Sequence, residues 1–409
     1  MLRYFCLLVL TVSVFTVPVP AQSVERFQQD RFAIGFWVDP PADDQMDERY
    51  AAIADAGFTV VLGGFGASAP ESIERQLTLC EKFDLKALVY SVSREFDDLP
   101  EHPACWGYMV RDEPSAALFP ELRAIVDKIR AERPGRLAYI NLFPNYANED
   151  QLGTKTYEEH VRRFIDEVNV DVLSMDHYPI FKPDKDGRDA YCENLAVMRE
   201  ESLRAEIPFW NFFNVMPYGP HTDPTEAQLR WQIYTSLAYG AKGVMYFCYW
   251  TPGGGEFPKG GAILHRDGRP SRHYDQAKRI NTAVKNFGPT LMQLTSTRVF
   301  RIAPDTDVAA TLEGSPIKSI ARADVDPPHD YLIGVFKHAD GRDAVLLNNY
   351  RFAYTAWPTV EFAQPVEKVR EIDPATGQEI AVIDDSPAMD GIQLSLDSGA
   401  GRLFLVAAE

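Results

Sequence analysis

Eight times between residues 32 and 290 the chain passes from a short apolar run to a longer amphipathic stretch, and this alternation limits the possible folds most severely. The apolar runs are Phe32–Val38, Thr59–Gly64, Lys86–Val92, Trp106–Val110, Leu137–Phe143, Asp171–Met175, Pro208–Val215 and Gly243–Trp250. Between them, helices are expected over Met46–Ala56, Pro70–Phe83, Ser115–Glu132, Tyr157–Val168, Ala190–Ala205 and Thr225–Tyr239, with a last one around Arg272–Phe287. The link Ser93–Ala104 is irregular. Short apolar runs bounded by turn residues and separated by helices are the pattern of parallel βαβ units. Eight of them in about 260 residues match a closed (β/α)8 TIM barrel. The rival, an open doubly wound sheet, calls for a glycine-rich phosphate loop after the first strand. Gly63-Gly64-Phe65-Gly66 comes nearest and lacks the spacing.

After residue 295 the pattern changes. Thr297–Ile302, Tyr331–Phe336, Ala344–Asn349, Thr359–Phe362, Val369–Ile372 and Leu403–Val406 are short β-like runs, separated by turn signals such as Asp340-Gly341 and Thr376-Gly377. Many short strands without a long helix predict a small all-β sandwich, which either braces the barrel or binds sugar, bracing being the favoured role. At the other end, Arg3, the apolar run Phe5–Val17 and the residues Val19-Pro20-Ala21 before Gln22 have the form of a cleavable secretory signal. The run is too short to span a bilayer comfortably, so no stable membrane insertion is expected, an uncleaved N-terminal anchor being the alternative. The sequence thus divides into a leader (1–21), a barrel (22–292) and a β domain (293–409), in a secreted or periplasmic protein.

A net charge of −18 repels phosphate backbones and anionic membranes, which argues against a nucleic-acid partner and for a neutral or weakly charged substrate. Cys6 leaves with the leader. Cys80, Cys105, Cys192 and Cys248 show no metal-binding spacing, so neither a metal nor a cofactor is expected; a disulfide is permitted but not assigned by spacing. Nothing in the sequence speaks to oligomeric state.

In a TIM barrel the chemistry sits where strands end, on the C-terminal face. The fourth run exits through Arg111-Asp112-Glu113-Pro114, two adjacent acids before a helix. Either could instead cap that helix, where negative charge is favoured in any case. The sixth exits through Asp176-His177-Tyr178. Asn141 lies near the exit of the fifth run, Asn211 and Asn214 in the seventh, Trp37 near the end of the first and Trp250 at the end of the eighth. Aromatic faces for sugar rings, beside Asp, Asn and His for hydroxyls, are what a carbohydrate cleft requires. Glu113, Asp176 and Asp112 are therefore the catalytic candidates, and Trp37, Asn141, His177, Tyr178, Asn211, Asn214 and Trp250 the substrate-binding ones.

The exit Trp106–Pro114 resembles the fourth-strand signature of retaining (β/α)8 glycoside hydrolases related to β-galactosidases and cellulases. In that group an Asn-Glu-Pro motif carries the acid/base, which maps onto Glu113. Gln228–Trp250, with Ser236-Leu237-Ala238-Tyr239-Gly240-Ala241-Lys242-Gly243-Val244, is similar to their last helix–strand unit, and its terminal aromatic maps onto Trp250. Asp171–Pro179 resembles their sixth strand, whose Tyr beside the nucleophile maps onto Tyr178. The resemblance implies a secreted enzyme that hydrolyses O-glycosidic bonds of an oligo- or polysaccharide.

Two departures matter. Asp112 stands where the group has an Asn that contacts the sugar 2-hydroxyl. The seventh-strand Glu that should be the nucleophile is absent, with Phe213 or Asn214 in the matching region. The acids beyond, Asp223 and Glu226, read as a capping box around Pro224. Asp176 therefore ranks first as the second carboxylate. Two alternatives stand beside it: a hexosaminidase-like enzyme in which Asp112 and Glu113 orient the substrate's own acetamido nucleophile, and a barrel that binds glycan without turnover.

Overall fold

A computed structural model describes residues 25–91, 98, 100–183, 185–322 and 330–407. The expected leader at 1–21 lies outside the described residues, as does part of the irregular 93–104 link. No helix among the described residues is long and apolar enough to cross a membrane.

Eight parallel strands form the first sheet: β1 (Ala33–Phe36), β2 (Val60–Leu62), β3 (Lys86–Tyr90), β4 (Cys105–Asp112), β5 (Leu137–Leu142), β6 (Leu173–Asp176), β7 (Phe209–Asn214) and β8 (Gly243–Phe247). Their order, β1-β8-β7-β6-β5-β4-β3-β2, brings β1 and β2 to the two ends. Thr59, just before β2, closes the ring there. Its amide donates to the Ile34 carbonyl, and its hydroxyl both accepts from the Ile34 amide and donates to the Phe32 carbonyl. The expected TIM barrel is the observed fold. Large rings fill its interior, among them Trp106, Tyr139, Trp210 and Phe212. Inward side chains alternate along each strand.

The surrounding helices are α1 (Met46–Asp55), α2 (Pro70–Lys82), α3 (Phe119–Glu132), α4 (Glu149–Leu152), α5 (Tyr157–Arg163), α6 (Arg188–Ala205), α7 (Glu226–Ala238) and α8 (Arg272–Met292). The short α4 was not foreseen, and the helix expected over Tyr157–Val168 turns into a π-helical segment at Phe164–Val168. Nearly every residue of α7 after Arg230 is buried, because the helix lies between the barrel and the β domain. A helix covered on both sides is apolar all round.

The C-terminal β domain holds two antiparallel sheets. One contains β9 (Leu294–Ile302), β11 (Tyr331–His338), β12 (Asp343–Asn349), β14 (Val369–Ile372), β15 (Glu379–Ala381) and β17 (Gly401–Val406); the other contains β10 (Ile317–Arg322), β13 (Pro358–Phe362) and β16 (Ile392–Gln393). Their facing sides share a core that includes Ile317, Val345, Val360 and Phe404. The larger sheet docks on α7. Gly334 sits so close to it that a Cβ would stand 2.4 Å from the Ala238 carbonyl oxygen, and the Asn348 amide donates to the Tyr234 carbonyl at 2.7 Å. All four cysteines of the described chain are free thiols.

Candidate active site

Strand β4 runs two residues further than its apolar pattern, so Asp112 is its last residue and Glu113 the first beyond it. Glu113 donates its amide to the Asn141 carbonyl on β5 at 2.8 Å and adopts φ 45°. Among the described residues five non-glycine positions have positive φ, and of these Asp84, Asn169 and Glu206 lie at or just past helix C-termini, where that conformation is ordinary. The other two, Val38 and Glu113, lie at strand exits on the C-terminal face. A left-handed conformation is unfavourable for a β-branched valine, and strain of this kind gathers at functional sites.

The Glu113 side chain hydrogen-bonds the Asp176 carboxyl, which ends β6. Neither acid of the pair Asp112-Glu113 caps a helix. The next helical turn begins at Ala116 after Ser115, and Asp112 takes the Asn141 amide at 3.2 Å. The same Asn141 amide donates to Asp176 at 3.1 Å, and its carbonyl oxygen accepts from Ser174, which in turn meets the Tyr139 hydroxyl. Asn141 thus ties β4 to β6. It is buried, so it orders the carboxyls rather than lining the surface.

Burial pushes Glu113 up to about 7; the Asp112 charge adds to this and the bond from Asp176 opposes it. Asp176 is held well above the usual carboxylate range by burial and by the charges of Glu113 and Asp112, against the hydrogen bonds of Asn141 and Tyr178. Burial also raises Asp112, although its side chain remains open to solvent. Two hydrogen-bonded carboxyls cannot both ionise readily, so near neutrality they share a proton and titrate as a pair.

His177 is buried, and burial lowers it to about 4, so the ring is neutral at neutral pH. Its Nδ1 bonds Asn194 Oδ1 at 3.0 Å. Tyr178 hydrogen-bonds Asp176 and packs on Phe247 and Tyr218, with centroids at 5.2 and 5.7 Å. Trp37 is half-buried on top of the barrel core, with its edge to Phe212 at 5.8 Å.

Three of the substrate-binding candidates are not brought to the carboxyl pair. Asn211 points outward from the barrel and is fully buried, its amide donating to Tyr191 of α6 and Ser236 of α7. Asn214 is fully buried, bonded to the Ile180 amide and, through its backbone, to Gln232. Trp250 lies three residues past β8 and packs inward with Arg49 4.8 Å above its ring, away from the carboxyl pair. Phe247 takes the strand-end position. The capping box before α7 is Thr225 with Gln228, whereas Asp223 and Glu226 are ion-paired, to Arg272 and to Arg230 and Arg279.

Tyr146 and Tyr218 were not singled out in the sequence. Tyr146, exposed on the loop after β5, leans on His177 at 5.1 Å, takes the Tyr178 amide on its hydroxyl, and feels the charges of Asp176 and Glu113. Tyr218 approaches from the loop after β7 and feels Tyr146 and Asp176. Both follow a proline by one or two residues, in Pro144-Asn145-Tyr146 and Pro217-Tyr218, and an aromatic in such a loop was the available signal. No cluster of potential metal ligands exists among the described residues.

No protein-family model matches the chain, and no curated protein matches it in sequence. Solved structures do match in shape. A catalytic mutant of a GH42 β-galactosidase from G. stearothermophilus superposes with a TM-score of 0.58 at 9% identity, covering 94% of this chain and 100% of that one. The shared fold is the (β/α)8 barrel with its added β domain. The cold-adapted β-galactosidase of Rahnella sp. R3 gives 0.53 at 11% identity, over 93% of this chain and 99% of that one. The enzyme of the Antarctic haloarchaeon Halorubrum lacusprofundi gives 0.51 at 12%, over 92% and 99%. At these identities the likeness concerns the fold alone.

Proposed function

We propose that the protein is a glycoside hydrolase acting on neutral oligosaccharides, with Glu113 as acid/base and Asp176 as nucleophile. The hydrogen-bonded Glu113–Asp176 pair at the C-terminal mouth of the barrel carries this reading. An inverting pair needs roughly 6.5–9.5 Å between carboxyls to admit a water, whereas a retaining pair stands about 5–5.5 Å apart. Carboxyls in hydrogen-bonding contact leave no gap for that water, which favours the second case over the first. In the state where the shared proton sits on Glu113, ionised Asp176 attacks the anomeric carbon as the glycosidic C–O bond breaks, and that proton passes to the leaving oxygen. Glu113, now ionised, takes a proton from water, which attacks the same carbon and frees Asp176. The nucleophile thus comes from β6, since β7 ends in a buried Asn.

Purified protein is expected to hydrolyse members of a panel of aryl glycosides and polysaccharides. Glycan binding without turnover across the panel would leave a sugar-binding barrel in place of an enzyme.

Asp112 adds to the proton affinity of the pair, which burial raises most, because its charge raises both partners. Asp112→Asn keeps an acceptor for Asn141 and removes that charge, so the pair should release its last proton more easily. The alkaline limb of kcat/KM is expected to move to lower pH, by a few tenths to about one unit. A pH–rate profile in which that limb does not move would exclude this role.

A further inference from the structure

The loop Gly63–Ala69, whose glycines fit no phosphate-binding spacing, is fastened to the exit of β1. Asp39 is 1% exposed, and its Oδ1 accepts from the amides of Phe65 and Gly66, each at 2.8 Å. Its Oδ2 accepts from Ala67 at 2.8 Å. Gly66 lies so close to β1's exit that a Cβ would stand 1.8 Å from the Pro40 carbonyl oxygen, so glycine alone permits this approach. Three charge-assisted bonds hold a turn rigid. What the turn presents is the ring of Phe65, 55% exposed, set edge-on to Trp37 at 5.8 Å and 66°.

Holding an aromatic ring in water by a buried carboxylate stabilises nothing through burial of that ring. It leaves a fixed apolar face at the mouth of the barrel, beside a half-buried tryptophan. Trp37 in turn packs on Phe212, which is the register partner of Asp176 on the neighbouring strand. The aromatic surface is therefore continuous with the floor on which the carboxyl pair stands.

We infer that Phe65 and Trp37 form a subsite for a second sugar ring of the substrate, which is then a neutral oligosaccharide of two or more residues. This rests on the hydrolase reading given above. The C–H face of a pyranose stacks on an aromatic face without needing charge, and a preset ring requires no ordering on binding.

Binding of neutral gluco-, manno- and galacto-oligosaccharides, from di- to hexasaccharide, tests the subsite by calorimetry on the otherwise intact chain carrying Glu113→Gln, which suppresses turnover. Adding Phe65→Ala or Phe65→Leu is expected to weaken the best oligosaccharide by about 3–10-fold, while Phe65→Trp retains affinity. Equal affinity with and without the ring, or no binding of any member, overturns the subsite while leaving the hydrolase reading to its own tests. Phe65-dependent binding in a protein that hydrolyses no glycoside supports the subsite and removes the hydrolase.

Discussion

Glu113→Gln is expected to lower turnover of oligosaccharides by about 10²–10⁴-fold, the usual contribution of a positioned general acid. Glutamine preserves size and hydrogen bonding but has no proton to give the leaving oxygen. Nitrophenyl glycosides, whose leaving group departs with little protonation, should lose far less in the first step. The ratio between the two substrate types separates lost acid catalysis from general damage. Structural damage is expected to be slight, since Glu113 caps no helix and its amide bond to Asn141 involves only the backbone. Equal losses on both substrate types, measured as kcat/KM, would remove the proton-donor role.

Asp176→Asn should remove activity on good and poor leaving groups alike, because attack at the anomeric carbon is required of both. It should also make the protein more stable. The folded pKa of Asp176 lies above its unfolded value, so the folded state binds more protons and its stability falls as pH rises from the unfolded toward the folded pKa. An amide cannot ionise and escapes this penalty. The gain in Tm should therefore be small at pH 4 and grow toward pH 8, while activity stays lost. Thermal melts at the two pH values check this, and a variant less stable at pH 8 than the unaltered protein would contradict it. Active-site groups that hold charge against burial commonly trade stability for function in this way.

The barrel was legible because parallel strands buried on both faces read as bare apolar runs. Asp112, Glu113 and Asp176 were legible because each stands at a run's exit, where a packed barrel has no use for an acid. What composition could not supply was the facing of residues along a strand. Asn211 sits between Trp210 and Phe212, which fill the interior, and alternation turns it toward the helices. Trp250 misled for another reason. Tyr249 and Trp250 prolong the apolar run of β8, but their amides donate to the Trp37 and Val38 carbonyls beyond β1's exit, drawing them out of the strand and into the wall. Phe65 and Tyr146 lie in loops without periodicity, and only tertiary bonds such as those of Asp39 reveal that their rings are held in place.

Whether Glu113 and Asp176 act as a retaining pair is decided by the anomeric configuration of the first-formed product. Proton NMR of a hydrolysis started with the unaltered protein, recorded before mutarotation, should show the configuration of the substrate retained. A product that appears first with inverted configuration would exclude the retaining pair, and a spectrum in which no glycosidic bond is broken would exclude the hydrolase.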